Sequence, residues 1–196
     1  MSHVREIIKP HLNDEAIDHM LGLSGTASCQ FIVSSFPALL EYTPSHTIRP
    51  LHASFRDYLI DKRRSEGKPW SLTPIDPEYL LTECCFRIME NQLRFNICGI
   101  TTSYEWNNDY FTGSNSKAAI SRELKYACQH WAGHLQAIQN LDSSIMTLLH
   151  NFSYAHFMFW AEVMSVHGLN SEARDACNAV ADSIKVSSVL SLRYGL

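Results

Sequence analysis

Apolar positions along this chain recur mostly at three- and four-residue intervals, the period of a helix with one buried face. Val4, Ile7 and Ile8 form the end of an amphipathic stretch that Pro10 stops. Asn13 is an N-cap residue for a second helix, with Glu15 in its first turn and Ile17, Met20 and Leu21 along one face. Gly22 and Gly25 bracket the following turn. Thr26 or Ser28 then caps a third helix through Phe31, Ile32 and Ser35, ended by Pro37. The pattern changes at 38–43 and 46–50, two short segments flanking Pro44 and Ser45 that predict a hairpin. A short helix follows Pro50, with Phe55, Tyr58 and Leu59 at i, i+3 and i+4. Helices, hairpin and closing helix in this order describe a winged-helix-like unit, its first helix clipped at Met1.

Residues 61–73 interrupt the periodicity. Lys62, Arg63 and Arg64 lie beside Glu66 as a solvated helix end, and Gly67 and Pro69 break the chain. The predicted division is a winged-helix-like unit over 1–66 and an α-helical bundle over 67–196, a mainly α fold. In the second unit Asp76, Pro77 and Glu78 form a strong helix start. The helix carries stripes through Leu81, Cys85, Ile88 and Gln92 and through Leu80, Cys84, Met89 and Leu93, closed by 96–99 with Gly99 as C-terminal cap. Residues 101–116, rich in aromatics, predict a long surface loop. Ser121 caps the most regular helix, where Leu124, Cys128, Trp131, Leu135 and Ile138 share one face. Asp142 caps the next. The run from Phe157 to Met164 is apolar almost all round and predicts the core helix of the bundle, ended by Gly168. Asn170 or Ser171 opens a last helix, with Ala173, Ala176, Cys177, Val180 and Ile184 facing inward.

Composition narrows the classes. With 196 residues, 45% hydrophobic and 18% charged, the chain is globular and long enough for one domain or two small ones. A net charge of −4 offers no global field for nucleic acid, and the candidate recognition helix around 27–35 has no Lys or Arg, so no nucleic-acid partner is expected. The six cysteines show no ligand spacing and read as buried free thiols of a reducing compartment. Without a signal-like start or a membrane-length apolar run, a soluble, cytoplasmic protein with no membrane partner is expected.

Candidate chemistry is sparse. His52 sits at the mouth of the turn after Pro50, where an imidazole can cap the chain or donate to an anion. His130 and His134 lie four apart on a helix flank, a two-ligand geometry that lacks a third ligand, so hydrogen-bonded or solvated histidines and no metal are expected. No phosphate-cradling Gly-x-x-x-x-Gly-Lys-Ser/Thr and no Gly-x-Ser-x-Gly elbow appear, and no catalytic residue is assigned.

Four ordered blocks carry a family resemblance: Ile48 to Leu59, Leu93 to Cys98, Leu124 to Leu135, and Phe159 to Val163. They resemble the region downstream of the nucleotide-binding domain in fungal NACHT-type, NOD-like signalling NTPases of the STAND class, and the likeness runs from about residue 15 to about residue 185. The resemblance implies a non-catalytic regulatory or scaffold segment, coupling an NTPase domain to a C-terminal sensor, often WD repeats. Its partners would be that NACHT domain and the repeat domain, in cis or in trans, with homo-oligomers as one assembly. ATP or ADP would belong to the NTPase domain, and this chain alone would bind no cofactor. In such proteins a histidine of a Met-His-Asp type motif reaches the phosphates of ADP. Leu51-His52-Ala53 is similar at its first two positions only, with Ala53 where the acid would stand, so His52 is the candidate cofactor-contacting residue. The alternative expectation is a free-standing α-helical adaptor.

Overall fold

The computed structural model describes residues 12–43, 48–52, 54, 61, 63, 77–101, 104, 120–138 and 140–194, with side chains of the last helix described as far as Lys185. The protein is mainly helical with a two-stranded antiparallel hairpin near its N-terminus, and it divides into two compact units, Met1–Ile75 and Asp76–Leu196. The stretch around Val4 to Ile8, the hairpin turn at Pro44 and Ser45, the helix through Phe55 and Tyr58, the boundary at 66/67, the cap Asp76 and most of 101–116 lie outside the described residues.

In the N-terminal unit, α1 (Asp14–Leu21) starts because Asn13 leaves the helical region and its Oδ1 accepts the Ala16 N–H at 3.1 Å. Gly22, at φ +67, ends it in the left-handed conformation that glycine adopts without strain. After a 3₁₀ turn at Gly25–Ala27, Ser28 rather than Thr26 caps α2 (Cys29–Ser35), its Oγ accepting the Phe31 N–H at 3.3 Å. Asp18 ties the two helices together, since its Oδ1 accepts the Cys29 N–H at 2.7 Å. Strands β1 (Leu40–Tyr42) and β2 (Ile48–Pro50) pair with Leu40 opposite Pro50 and Tyr42 opposite Ile48. The Tyr42 hydroxyl donates to Asp14, and Arg49 bonds Glu41 across the strands at 2.7 Å. Ala16, Met20, Cys29 and Val33 are the buried apolar residues described here.

The C-terminal unit opens with α3 (Pro77–Gln92), with proline at the first helical position, and α3 packs along α4 (Arg122–Ala137). Ser121 caps α4 by accepting the Leu124 N–H and also donates to Gln92 Oε1 at 2.7 Å, so the end of α3 and the start of α4 are held together. Asp142 caps α5 (Ser143–Asn151), Oδ1 accepting the Ile145 N–H, while Oδ2 takes the Tyr79 hydroxyl. A π-helical turn, Phe152–His156, carries α5 without a break into α6 (Phe157–Val166), and α7 (Asn170–Tyr194) packs on α4 and α6. Phe86, Trp131, Phe152 and Trp160 interlock, with ring centroids 4.8–6.0 Å apart among the tilted and edge-on pairs.

Three expectations are corrected by packing. The helix before Gly99 ends at Gln92, with Asn96 at φ +49, and the amides of Asn96 and Ile97 find their partner on another helix. Helix α6 is not buried all round, as Met158 is exposed. On α7, Cys177 and Ile184 are exposed while Val180 is buried; the other five cysteines are buried as expected.

Candidate functional site

His52 lies just past β2, on a backbone still held to the hairpin by the Leu51 N–H donating to Leu39 O at 2.9 Å. The ring is exposed. Its Nδ1 accepts the Ser54 N–H at 3.1 Å and stands 2.7 Å from Ser54 Oγ. A backbone amide can only donate, so Nδ1 is unprotonated in this arrangement and the neutral ring carries its proton on Nε2. His52 therefore closes a local turn with one nitrogen and leaves the other to donate. Ala53 lies outside the described residues.

The two histidines on α4 part company. His134 is buried, with Nδ1 2.6 Å from Glu78 Oε2 and Nε2 3.0 Å from the Tyr126 hydroxyl. Both ring nitrogens are thus taken, which removes His134 as a ligand to a metal shared with His130. His130 instead places its ring 4.6 Å from that of Tyr126. Burial, then the nearby Cys85 and Glu78, push the Tyr126 phenol far above its ordinary value, so it keeps its proton beside the His134 ring. Among the described residues no group of three or more His, Cys, Asp or Glu is placed to hold a metal ion. The Glu78–His134–Tyr126 chain locks the first turn of α3 to the second half of α4.

Three of the sequence blocks converge on α6. Trp160 Nε1 donates to Cys128 O at 2.9 Å, joining α6 to the middle of α4. Two residues on, the Glu162 carboxylate accepts the backbone N–H of Asn96 at 3.1 Å through Oε2 and of Ile97 at 3.1 Å through Oε1. Asn96 then folds the loop on itself: its Oδ1 accepts the Ile100 N–H at 2.7 Å and its Nδ2 donates to Ile100 O at 3.0 Å. A carboxylate receiving two amides is a charge-assisted pair that fixes the chain leaving α3. Sequence reasoning assigned no role to Glu162 or Tyr126, and gave Glu78 only a place in the helix start. For Glu162 the signal was available, a lone carboxylate inside Phe-Met-Phe-Trp-Ala-Glu-Val-Met, where an apolar helix tolerates a charge only with partners. For Glu78 and Tyr126 no local signal exists, because each looks like an ordinary first-turn or surface residue. No family model matches the chain, and neither a curated protein nor a solved structure matches it.

Proposed function

We propose that this chain is a non-catalytic regulatory segment of a NACHT-type signalling NTPase, with the N-terminal unit read as the winged-helix-like part and the C-terminal unit as a helical spacer leading to a sensor. In this reading it works in the cytoplasm, with the NTPase domain and a repeat domain as partners and nucleotide held by the NTPase domain. The observation that carries the reading is the ordered resemblance of four sequence blocks. It is supported by the meeting of three of them around α6, through the Trp160 and Glu162 bonds, which makes them one packing unit rather than scattered likenesses. His52 contributes an exposed turn with a donor directed away from its own backbone bond.

The regulatory step would be a charge-assisted hydrogen bond from His52 Nε2 to a phosphate of ADP, worth about 1.5–3 kcal/mol. Present in the closed conformer alone, it shifts a closed–open equilibrium roughly 10- to 150-fold. In a polypeptide carrying this segment after an NTPase domain, His52→Ala should speed ADP release and raise spontaneous oligomerisation. Unchanged release would make His52 a turn-closing residue only. Transcripts read upstream of the Met1 codon provide the direct test of context. An in-frame Gly-x-x-x-x-Gly-Lys-Ser/Thr coding stretch is expected there, and an in-frame stop without one would favour the free-standing adaptor.

A further inference from the structure

We propose that the π turn Phe152–His156 is an acid-operated switch, in which a proton on the His156 ring brings Nδ1 out of the interior and into the cavity shared with Glu90 and Asn151. The turn interrupts an otherwise continuous run of helix from α5 into α6, and π turns of this kind recur at functional positions. It begins at Phe152, held in the aromatic cluster, and ends at His156, whose backbone leaves the helical region at φ −122, ψ −11. His156 Nδ1 is buried and has no hydrogen-bond partner among the described residues.

That position accommodates the neutral ring. A neutral imidazole carries one proton, so Nδ1 can stand bare with the proton on Nε2, and an unfilled acceptor costs less than an unpaired donor. A charged imidazole donates from both nitrogens. Left in place, Nδ1 would then be a cationic donor buried without an acceptor, one of the costliest arrangements a protein interior can hold. Histidine is also the side chain whose charge ordinarily changes between pH 5 and 8, so mild acid is the natural trigger.

The cavity beside the turn gives the charged ring somewhere to go. It has a volume of about 10 Å³, room for one water, and His156 lines it together with Phe86 and Glu90 of α3, Leu148 and Asn151 of α5, and Phe152. Glu90 and Asn151 are exposed and His156 is half-buried, so the ring stands where core meets solvent. Rotation of the ring brings Nδ1 to the side where a carboxylate and an amide oxygen can accept, directly or through that water. Glu90 is the titratable group that lines the cavity with His156. Arg87, one turn earlier on α3, donates to Cys84 Sγ, and His150 of α5 lies against Tyr154. On α6, Phe159 meets the His156 ring edge-on at 6.4 Å, and Glu162 is taken by Asn96 and Ile97. Trp160 follows four residues after His156, so a shift at the end of the turn alters how α6 is seated.

The test uses the full chain at pH 7.5 and at pH 5.0. Nitrogen-15 NMR of the histidine rings, each assigned through its own backbone, should show His156 at pH 7.5 as the Nε2–H tautomer; an Nδ1–H tautomer overturns the proposal. Hydrogen exchange, corrected for the intrinsic effect of pH, should quicken about fivefold or more at 152–157 on passing to pH 5.0, while the amides of α4 stay protected. His156→Gln should abolish that response. Glu90→Gln, which takes the carboxylate from the charged ring, should move the midpoint of the response to lower pH. Equal exchange at the two pH values in the parent chain overturns the proposal. So does a response that survives His156→Gln or that Glu90→Gln leaves unmoved. Should His156→Gln fail to fold, the tautomer of the parent ring and the Glu90→Gln profile decide the matter without it.

Discussion

The two units are held together by different means. In the N-terminal unit the described core is Ala16, Met20, Cys29 and Val33, while Phe31, Phe36, Leu39 and Leu51 remain well exposed. Order there comes from polar ties, the Asn13 and Ser28 caps within three positions, Asp18 on the Cys29 amide, and Tyr42 on Asp14 across 28 positions. The C-terminal unit buries interlocked aromatics and uses its polar bonds across long separations, Glu78 to His134 and Glu162 to Asn96. Capping bonds set where a helix begins but contribute only about 1 kcal/mol each. Buried aromatic surface contributes several times more, which is why the second unit is expected to be the stable body and the first the adaptable one.

The most forceful way to break this contrast is Trp160→Ala. Removing the ring and its bond to Cys128 O should cost about 3–5 kcal/mol in urea unfolding, and a loss below about 1 kcal/mol would remove the aromatic cluster as the source of stability. Next comes Glu162→Ala, which leaves two amides without their acceptor and should cost about 2–3 kcal/mol. Hydrogen exchange should quicken at Asn96 and Ile97 while the amides of α4 stay protected. Equal loosening of both would mean that the carboxylate supports the whole unit rather than the loop.

A pH experiment sharpens the N-terminal side. Burial, reinforced by the hydrogen bond and charge of Asp18, pushes the Cys29 thiol up to about 12. An unfolded thiol ionises near about 8.5, so the folded state keeps a proton that the unfolded state gives up. The resulting contribution is whole below that value and is lost as pH climbs toward 12, by at most about 1.4 kcal/mol per pH unit. Unfolding midpoints at pH 8 and pH 10 should therefore converge in Cys29→Ala relative to the parent chain, and an unchanged gap would place the alkaline sensitivity elsewhere. The smallest effect is expected from Asn13→Ala, about 1 kcal/mol and confined to the N-terminal unit. A comparable shift in the C-terminal transition would show that the two units unfold as one.

Much of the architecture was legible in advance. Asn13, Ser121 and Asp142 cap the helices they were expected to cap, Gly168 ends α6 at φ +71, and the hairpin falls within 38–50. The errors share a cause. Residues 96–99 were expected to close the helix with Gly99 as its cap, yet the helix ends at Gln92 and Glu162 offers Asn96 and Ile97 a partner from another element. The helix capped by Asp142 and the run from Phe157 were read as separate elements, whereas the chain passes between them through a π turn that places Phe152 in the aromatic cluster. For the candidate site, His52 was visible as a residue, but the orientation of its ring depends on Ser54 accommodating Nδ1, which no spacing rule encodes.

By itself the amino-acid sequence determined the helical class, the caps and the faces to be buried, because capping and amphipathic periodicity act between residues three or four positions apart and are written locally. Only the tertiary structure decided which polar side chains are spent and which are left to act. Glu78 and His134 are separated by 56 positions, and Asn96 and Glu162 by 66. Such pairs form only after packing has removed water from both partners, and at that point a buried carboxylate must find a donor or be excluded from the core. The same packing left Tyr154, Met158 and Phe95 outside, since the face of α6 that they border was already turned from the aromatic cluster by Trp160.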